Sequence, residues 1–200
     1  IGYQSQRLTT TADNNTGLGA YTLYDNTTGA SNTAVGFSAL ANNTTGTRNT
    51  AVGISSGAAT TTGGNNASFG AYSLFTNITA SYNAAFGDSA LYHSTAANNT
   101  GLGYGACYRT TSGANNTAVG SSALYNNTTG PNNTATGYGA LFANTTGSNN
   151  SAAGYSALGA NTTGSSNAAF GLVALATNTT ASNNSAFGQS SLRYNTTGAN

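Results

Sequence analysis

Charged side chains are almost missing from this sequence. Its 200 residues include four arginines and three aspartates, and neither lysine nor glutamate occurs. An ordinary soluble domain carries about a quarter of its residues as charged side chains. With a net charge of +1, the chain has no basic surface for a phosphate backbone or an anionic lipid headgroup. The composition therefore predicts no nucleic-acid partner.

Several other residue types that support function are scarce. There is one cysteine, one histidine and one proline, and there is no methionine or tryptophan. A single cysteine cannot form an internal disulfide, and one histidine, one cysteine and three aspartates do not make a metal cluster. No apolar run has the length of a membrane span. We therefore expect no metal, no cofactor and no membrane span, and we expect any signal sequence to lie upstream because no leader opens the chain.

Disorder is a poor explanation for the unusual composition. Disordered segments combine low hydrophobicity with high net charge, whereas this chain is 38% hydrophobic and nearly neutral. Its large apolar residues also occupy fixed places in a repeat.

The repeat is aligned on one glycine, which we number position 0. Successive copies lie 17 residues apart, except that Gly87 and Gly103 are separated by 16, with the missing residue placed near Ala97 and Asn98. The aligned glycines are Gly2, Gly19, Gly36, Gly53, Gly70, Gly87, Gly103, Gly120, Gly137, Gly154, Gly171 and Gly188. Residues 1–200 are therefore predicted to be a single repeat array, and we expect it to be a segment of a longer solenoid.

Position 4 is mostly leucine and predicts a leucine core. Gln6, Gly57 and Cys107 are the exceptions. The leucines are Leu23, Leu40, Leu74, Leu91, Leu124, Leu141, Leu158, Leu175 and Leu192.

Position 13 is always asparagine and predicts a structural ladder of stacked side-chain amides, as in cross-β assemblies. Its members are Asn15, Asn32, Asn49, Asn66, Asn83, Asn99, Asn116, Asn133, Asn150, Asn167 and Asn184.

These columns predict an all-β fold, a parallel β-solenoid (β-roll) of about twelve 17-residue coils. Thr, Val, Phe and Tyr favour a strand through N-T-A-V-G-Y, continuing or bending into S-A-L-Y. Glycine at position 10 is predicted to be a turn residue with positive φ. The strand would be apolar on both faces, which requires either a lateral partner chain or a bend at the position 0 glycine that turns both faces inward.

The strings N-T-A-V-G-F-S-A-L (32–40), N-T-A-V-G-S-S-A-L (116–124) and N-A-A-F-G-L-V-A-L (167–175) resemble a known repeat. They look like the N-T-A-I-G-Y-N-A-L repeats of bacterial cell-surface and phage tail-fibre-like proteins. They are less closely similar to the repeats of trimeric autotransporter adhesin heads, which are trimers of parallel β-rolls. The resemblance implies a homotrimer or another laterally associated fibre, outside the cell, on its surface or on a virion.

No residue pattern points to catalysis. His93 stands five residues after Asp88, but a Ser–His–Asp site needs all three groups in one geometry, and a solvated loop residue is the simpler interpretation. Cys107 occupies the leucine column, where a small buried hydrophobe is expected, with a reactive thiol as the alternative. We expect no enzymatic activity.

Glycosylation is a candidate modification because N-x-S/T motifs recur. The N-N-T-T repeat also creates such motifs without any selection for sugar. The candidate acceptors at position 7 are Asn26, Asn77, Asn144, Asn161, Asn178 and Asn195.

Three functions remain open from the sequence. The first is a non-catalytic structural subunit of an extracellular fibre or filament, whose partners are copies of itself, laterally and end to end. The second is an adhesin or tail-fibre shaft that binds surface carbohydrate. The third is an ice-binding solenoid, suggested by threonines at positions 8 and 9.

Overall fold

The computed structural model describes residues 1–196 and Gly198. Eleven strands of three residues follow one another in chain order. They are β1 (Thr16–Leu18), β2 (Thr33–Val35), β3 (Thr50–Val52), β4 (Ala67–Phe69), β5 (Ala84–Phe86), β6 (Thr100–Leu102), β7 (Thr117–Val119), β8 (Thr134–Thr136), β9 (Ser151–Ala153), β10 (Ala168–Phe170) and β11 (Ser185–Phe187). All pair in one parallel sheet in the order β1 to β11, and the described residues contain no helix. The predicted all-β parallel solenoid is confirmed.

Each strand pairs in register with its copy in the next coil. Thr117 faces Thr134, and Ala118 faces Ala135. The short unit keeps the same register, with Ala84 opposite Thr100. Equivalent residues therefore stack in columns along the solenoid, as the constant repeat length predicts.

The missing residue of the short unit lies slightly earlier than the sequence alignment places it. Asn98 has the left-handed φ of 61° that position 12 has elsewhere, and the Ala97 carbonyl accepts the Asn115 amide as position 11 carbonyls do. Ala96 then takes the place of position 10, because its carbonyl accepts the position 7 side chain of Ser94 at 3.4 Å, as the Gly29 carbonyl accepts that of Asn26. The deletion therefore shortens the turn at Thr95–Ala96 and leaves the residues after it in place.

The strand is shorter than predicted and ends before the position 0 glycine. Gly120 has a φ of 128°, and a Cβ there would lie 2.7 Å from the Gly137 carbonyl oxygen in the next coil. An L-residue tolerates neither this φ nor this approach. The glycine column therefore bends the chain sharply away from the sheet.

Of the two paths that the sequence left open, the chain takes the bend, and the alternation of faces does not continue beyond this glycine. Ser122 and Leu124 have left-handed φ values of 58° and 51°, and the neighbours Ala123 and Leu124 are both fully buried. Two consecutive inward side chains are impossible in a strand. The left-handed residues are held by long-range hydrogen bonds, since the Ser122 amide donates to Tyr104 and the Leu124 amide to Ala140.

The glycine bend turns the leucine inward but leaves the large residues of positions 16, 1 and 5 on the outside. Position 10 was predicted to have a positive φ, and this is wrong: the positive values fall at positions 0, 2, 4 and 12. Position 10 glycines such as Gly29 instead lie against the next coil, where a Cβ would lie 2.4 Å from the Gly46 carbonyl oxygen.

The interior is a narrow core of alanine and leucine columns. Alanines at positions 15 and 3 and leucine at position 4 form it, and it divides into a smaller cluster from Leu23 to Ala51 and a larger one from Leu74 to Ala186. The division occurs where Gly57 replaces leucine. There the Ser56 hydroxyl bonds to the Ser68 and Ser73 hydroxyls at 2.7 and 3.0 Å, so a small polar layer separates the two apolar clusters.

Candidate functional site

The position 13 asparagines stack as predicted. Asn150, Asn167 and Asn184 each donate from Nδ2 to the Oδ1 of the preceding member, at 3.1, 3.2 and 3.0 Å, but most bonds of the ladder reach the main chain. The Asn133 Oδ1 accepts the main-chain amide of Asn150 at 3.0 Å. The Asn133 Nδ2 donates to the Gly147 carbonyl at 2.9 Å. Asn133 thus satisfies two main-chain groups of the next coil, and most members do the same, although the Nδ2 atoms of Asn83 and Asn116 have no partner. All members except Asn15 are buried.

Position 7 carries a second asparagine ladder, in which the recurring N-x-S/T motif has a structural function. Asn144 donates from Nδ2 to Asn127 Oδ1 at 2.8 Å, and Asn161 donates to Asn144 Oδ1 at 2.8 Å. The Asn144 Nδ2 also donates to the Gly147 carbonyl at 2.9 Å, the same oxygen that Asn133 reaches. The recurrence of asparagine at this position was the available signal, and it was interpreted as a glycosylation motif.

Burial corrects that glycosylation prediction. Asn26, Asn77, Asn144, Asn161 and Asn178 have no exposed surface. A glycan on any of these amides would replace a donor inside the coil and would have no path to solvent. Asn195 is half-buried, and its Nδ2 donates to the Gly198 carbonyl at 2.8 Å. The position 7 motifs are therefore explained by the fold.

The leucine column forms the core as predicted, from Leu23 to Leu175, whereas Leu192 in the last coil is exposed. Cys107 is fully buried within this column. Burial raises the pKa of its thiol to about 12, although a hydrogen bond with the Thr110 side chain lowers that pKa to a smaller extent. A neutral, enclosed thiol at ordinary pH fits the small-hydrophobe interpretation better than the reactive alternative.

His93 lies on the outside of the coil. Its exposed ring packs edge-on against Tyr92 and Tyr108, with centroid distances of 4.6 and 5.2 Å. Asp88 accepts a hydrogen bond from the neighbouring Ser89 hydroxyl at 2.6 Å. Among the described residues, no group of three His, Cys, Asp or Glu side chains is placed to hold a metal ion.

The exterior carries three columns of large side chains, at positions 16, 1 and 5. We call positions 16 and 1 together the outer apolar face. Members with more than a third of their surface accessible are Ile1, Tyr3, Leu18, Phe37, Ile54, Phe86, Leu102, Tyr104, Tyr138, Tyr155, Phe170, Leu172 and Phe187. Rings within it also stack, as Phe170 does on Phe187 at 5.2 Å between centroids.

Position 5 forms a continuous ring stack in the middle of the array. Phe75, Tyr92, Tyr108, Tyr125 and Phe142 follow one another at centroid distances of 5.1, 5.2, 4.9 and 5.5 Å.

The position 5 stack stops at Phe142 because the next member of the column is Gly159. The interruption leaves a surface notch of about 420 Å³ lined by Phe142, Tyr138, Gly159 and Ala176, with Ser122 and Ser156. The sequence shows a glycine at position 5 after a run of aromatic residues. Only the distances between the rings show that those residues form a stack and that Gly159 interrupts it.

The described part of the chain contains no helix long and apolar enough to cross a bilayer. No family model, no curated protein and no solved structure matches this chain.

Proposed function

We propose that this chain is a non-catalytic structural segment of an extracellular fibre, built by self-association of solenoids. The observation that carries the proposal is the outer apolar face, whose large side chains recur from Tyr3 to Phe187 and are interrupted by a single charged residue, Asp88. The extracellular, cell-surface or virion location follows from the repeat resemblance.

The size of the outer apolar face is suited to lateral pairing. A stable protein interface covers about 800 Å² on each partner. A fully buried aromatic side chain covers about 150–250 Å², so a dozen large side chains exposed to roughly half offer an area of about that size. A second copy has the same spacing between coils and can match the face along its whole length, and a trimer is the arrangement that the resemblance implies.

Growth along the axis is the second part of the proposal, because the coils pair in register at a constant period. A further 17-residue coil, from a second copy, would continue that register without a change in geometry. The few charged residues give little electrostatic protection against strand pairing between copies.

The proposal is tested by light scattering and electron microscopy of the 200-residue array. We expect lateral assemblies at micromolar concentration, and we expect Ile54→Ser combined with Tyr104→Ser to reduce them to single solenoids. Asn115→Ser combined with Asn132→Ser, at exposed polar positions, is the control and should assemble normally. A monodisperse monomer of the unaltered chain would rule the proposal out.

An adhesin or tail-fibre shaft that binds surface carbohydrate is the second candidate, favoured by the notch beside Phe142. Ice binding has no comparable support, because position 8 threonine hydroxyls are already engaged: Thr128 Oγ1 donates to the Thr145 carbonyl and Thr145 Oγ1 to the Thr162 carbonyl, both at 3.0 Å.

A further inference from the structure

The notch beside Phe142 is a vacant place in an otherwise regular ring stack. Tyr125 covers one face of the Phe142 ring at 5.5 Å and an interplanar angle of 16°. The other face of the Phe142 ring is directed at the next coil, where position 5 is Gly159 and has no side chain. Ala176 follows in the next coil, so two successive coils provide no ring and the space of about 420 Å³ stays open.

The edges of the notch are polar and uncharged. Ser122 and Ser156 occupy position 2 on one side, and Tyr138 stands at position 1, where its ring stacks on Tyr155 at 5.4 Å. Within the described residues, no hydrogen bond engages the three side-chain hydroxyls. The Ser156 Oγ lies only 3.6 Å from where a Cβ would stand on Gly139, so the absence of a side chain at Gly139 keeps this hydroxyl accessible.

We propose that this notch binds one pyranose ring of a neutral glycan. A pyranose has an apolar C–H face, which can lie on the open face of Phe142, and a rim of hydroxyls, which can pair with Ser122, Ser156 and Tyr138. The volume lies within the range of small-molecule sites, about 300–1,000 Å³. No charged side chain lines the notch, so an anionic or cationic ligand gains nothing there.

A planar aromatic ligand fits the notch less well than a pyranose. It could continue the stack on Phe142 but would leave the surrounding hydroxyls without partners when it displaced their water. Sites that place hydroxyls around an apolar platform discriminate strongly against ligands that lack matching polar groups. The inference does not rest on the fibre proposal, because every lining residue belongs to one chain.

The decisive experiment is nuclear magnetic resonance titration of the 200-residue array with methyl glucoside, methyl galactoside and methyl mannoside. At least one glycoside should bind saturably, with shift changes centred on the Gly139 and Gly159 amides. Gly159→Tyr should abolish binding, because the new ring continues the stack on Phe142 and fills the notch. The same substitution should leave the melting temperature unchanged or raised, so the loss would not come from unfolding. Phe142→Ala should also abolish binding.

The matched control is Ala58→Tyr, which adds a ring at the opposite end of the same stack, beside Phe75. This variant should bind the glycoside as the unaltered chain does. The inference is overturned if no glycoside binds, if binding survives Gly159→Tyr, or if phenol occupies the notch and the glycosides do not.

Discussion

At the scale of single residues, the buried asparagines hold the coils together through main-chain groups. Asn133 accepts the Asn150 amide and donates to the Gly147 carbonyl, and both bonds form in an interior from which water is excluded. A buried group that loses its partner costs about 1–3 kcal/mol. The ladder therefore specifies the register as well as adding stability.

Asn133→Asp tests this function with an almost isosteric change. The substitution replaces the Nδ2 donor by an oxygen that faces the Gly147 carbonyl, and it buries a carboxyl group. We expect the free energy of unfolding to fall by at least about 2 kcal/mol, measured by chemical denaturation. The neighbouring Asn132 is exposed, so Asn132→Asp should change stability by less than about 0.5 kcal/mol. Equal effects of the two variants would refute the structural ladder.

Cys107 gives a second prediction at this scale, concerning pH. Its pKa is raised in the folded chain from 9.0 to about 12. Below pH 9 the thiol is neutral in both the folded and the unfolded states, and it has no effect on the pH dependence of stability. Between pH 9 and 12 the unfolded thiol ionises while the folded thiol does not, so the free energy of unfolding falls as pH rises.

Cys107→Leu, which restores the residue typical of the column, removes this ionisation. The difference in stability between the Leu variant and the unaltered chain should grow steadily as the pH rises above 9. A pH-independent difference would contradict the burial of a neutral thiol.

At the scale of the single coil, the short unit leaves a buried donor without its usual acceptor. Most position 13 side chains donate to the position 10 carbonyl of the next coil, as Asn66 does to Ala80 at 3.0 Å. The Asn83 Nδ2 is buried and makes no such bond to the shortened turn, and the Asn116 Nδ2 also lacks a partner although the turn after it is complete. The shortened turn therefore coincides with an unsatisfied donor at Asn83, without disturbing the strand register.

Inserting one threonine between Thr95 and Ala96 should repair this coil. The full-length turn brings a position 10 carbonyl to Asn83, and we expect stabilisation by about 1 kcal/mol, seen as a higher melting temperature. The same insertion after Thr129, in a turn that is already complete, should destabilise the array. A melting temperature lowered equally by both insertions would show that the short turn is not a defect.

At the scale of the whole molecule, each coil contacts only its neighbours, so stability is close to a sum over coils and their interfaces. Leu124→Asp places a carboxyl group in the fully buried column at the middle of the larger core cluster. We expect a loss of several kcal/mol, concentrated in the adjoining coils. Hydrogen exchange should show loss of amide protection around residues 107–141 and retained protection near Leu40.

The control for this variant is Ser121→Asp, at the position that Asp88 occupies in another coil. It should leave hydrogen exchange unchanged. Uniform loss of protection along the whole chain after Leu124→Asp would show that the array unfolds as one unit and not coil by coil.

The sequence by itself determined the period, the parallel register and the identity of the leucine and asparagine columns. In a solenoid with one 17-residue repeat per coil, each residue stacks on the residue at the same position of the next coil. Leu124 and Asn133 therefore belong to columns of their own kind, independently of how the chain folds within one coil. The sequence did not determine which side chains point inward after Gly120. Side chains alternate between two faces only in a strand, and the left-handed φ values of Ser122 and Leu124 end that alternation.

Only the tertiary structure decided the functions of positions 5 and 7. Asn144 looks like a sugar acceptor in the sequence, and it is buried because its amide reaches Asn127 and Gly147 across the coil. Gly159 looks like an ordinary variation, and it opens a notch because Phe142 ends a stack of rings there. Both depend on distances between residues far apart in the chain, which the local sequence pattern does not contain.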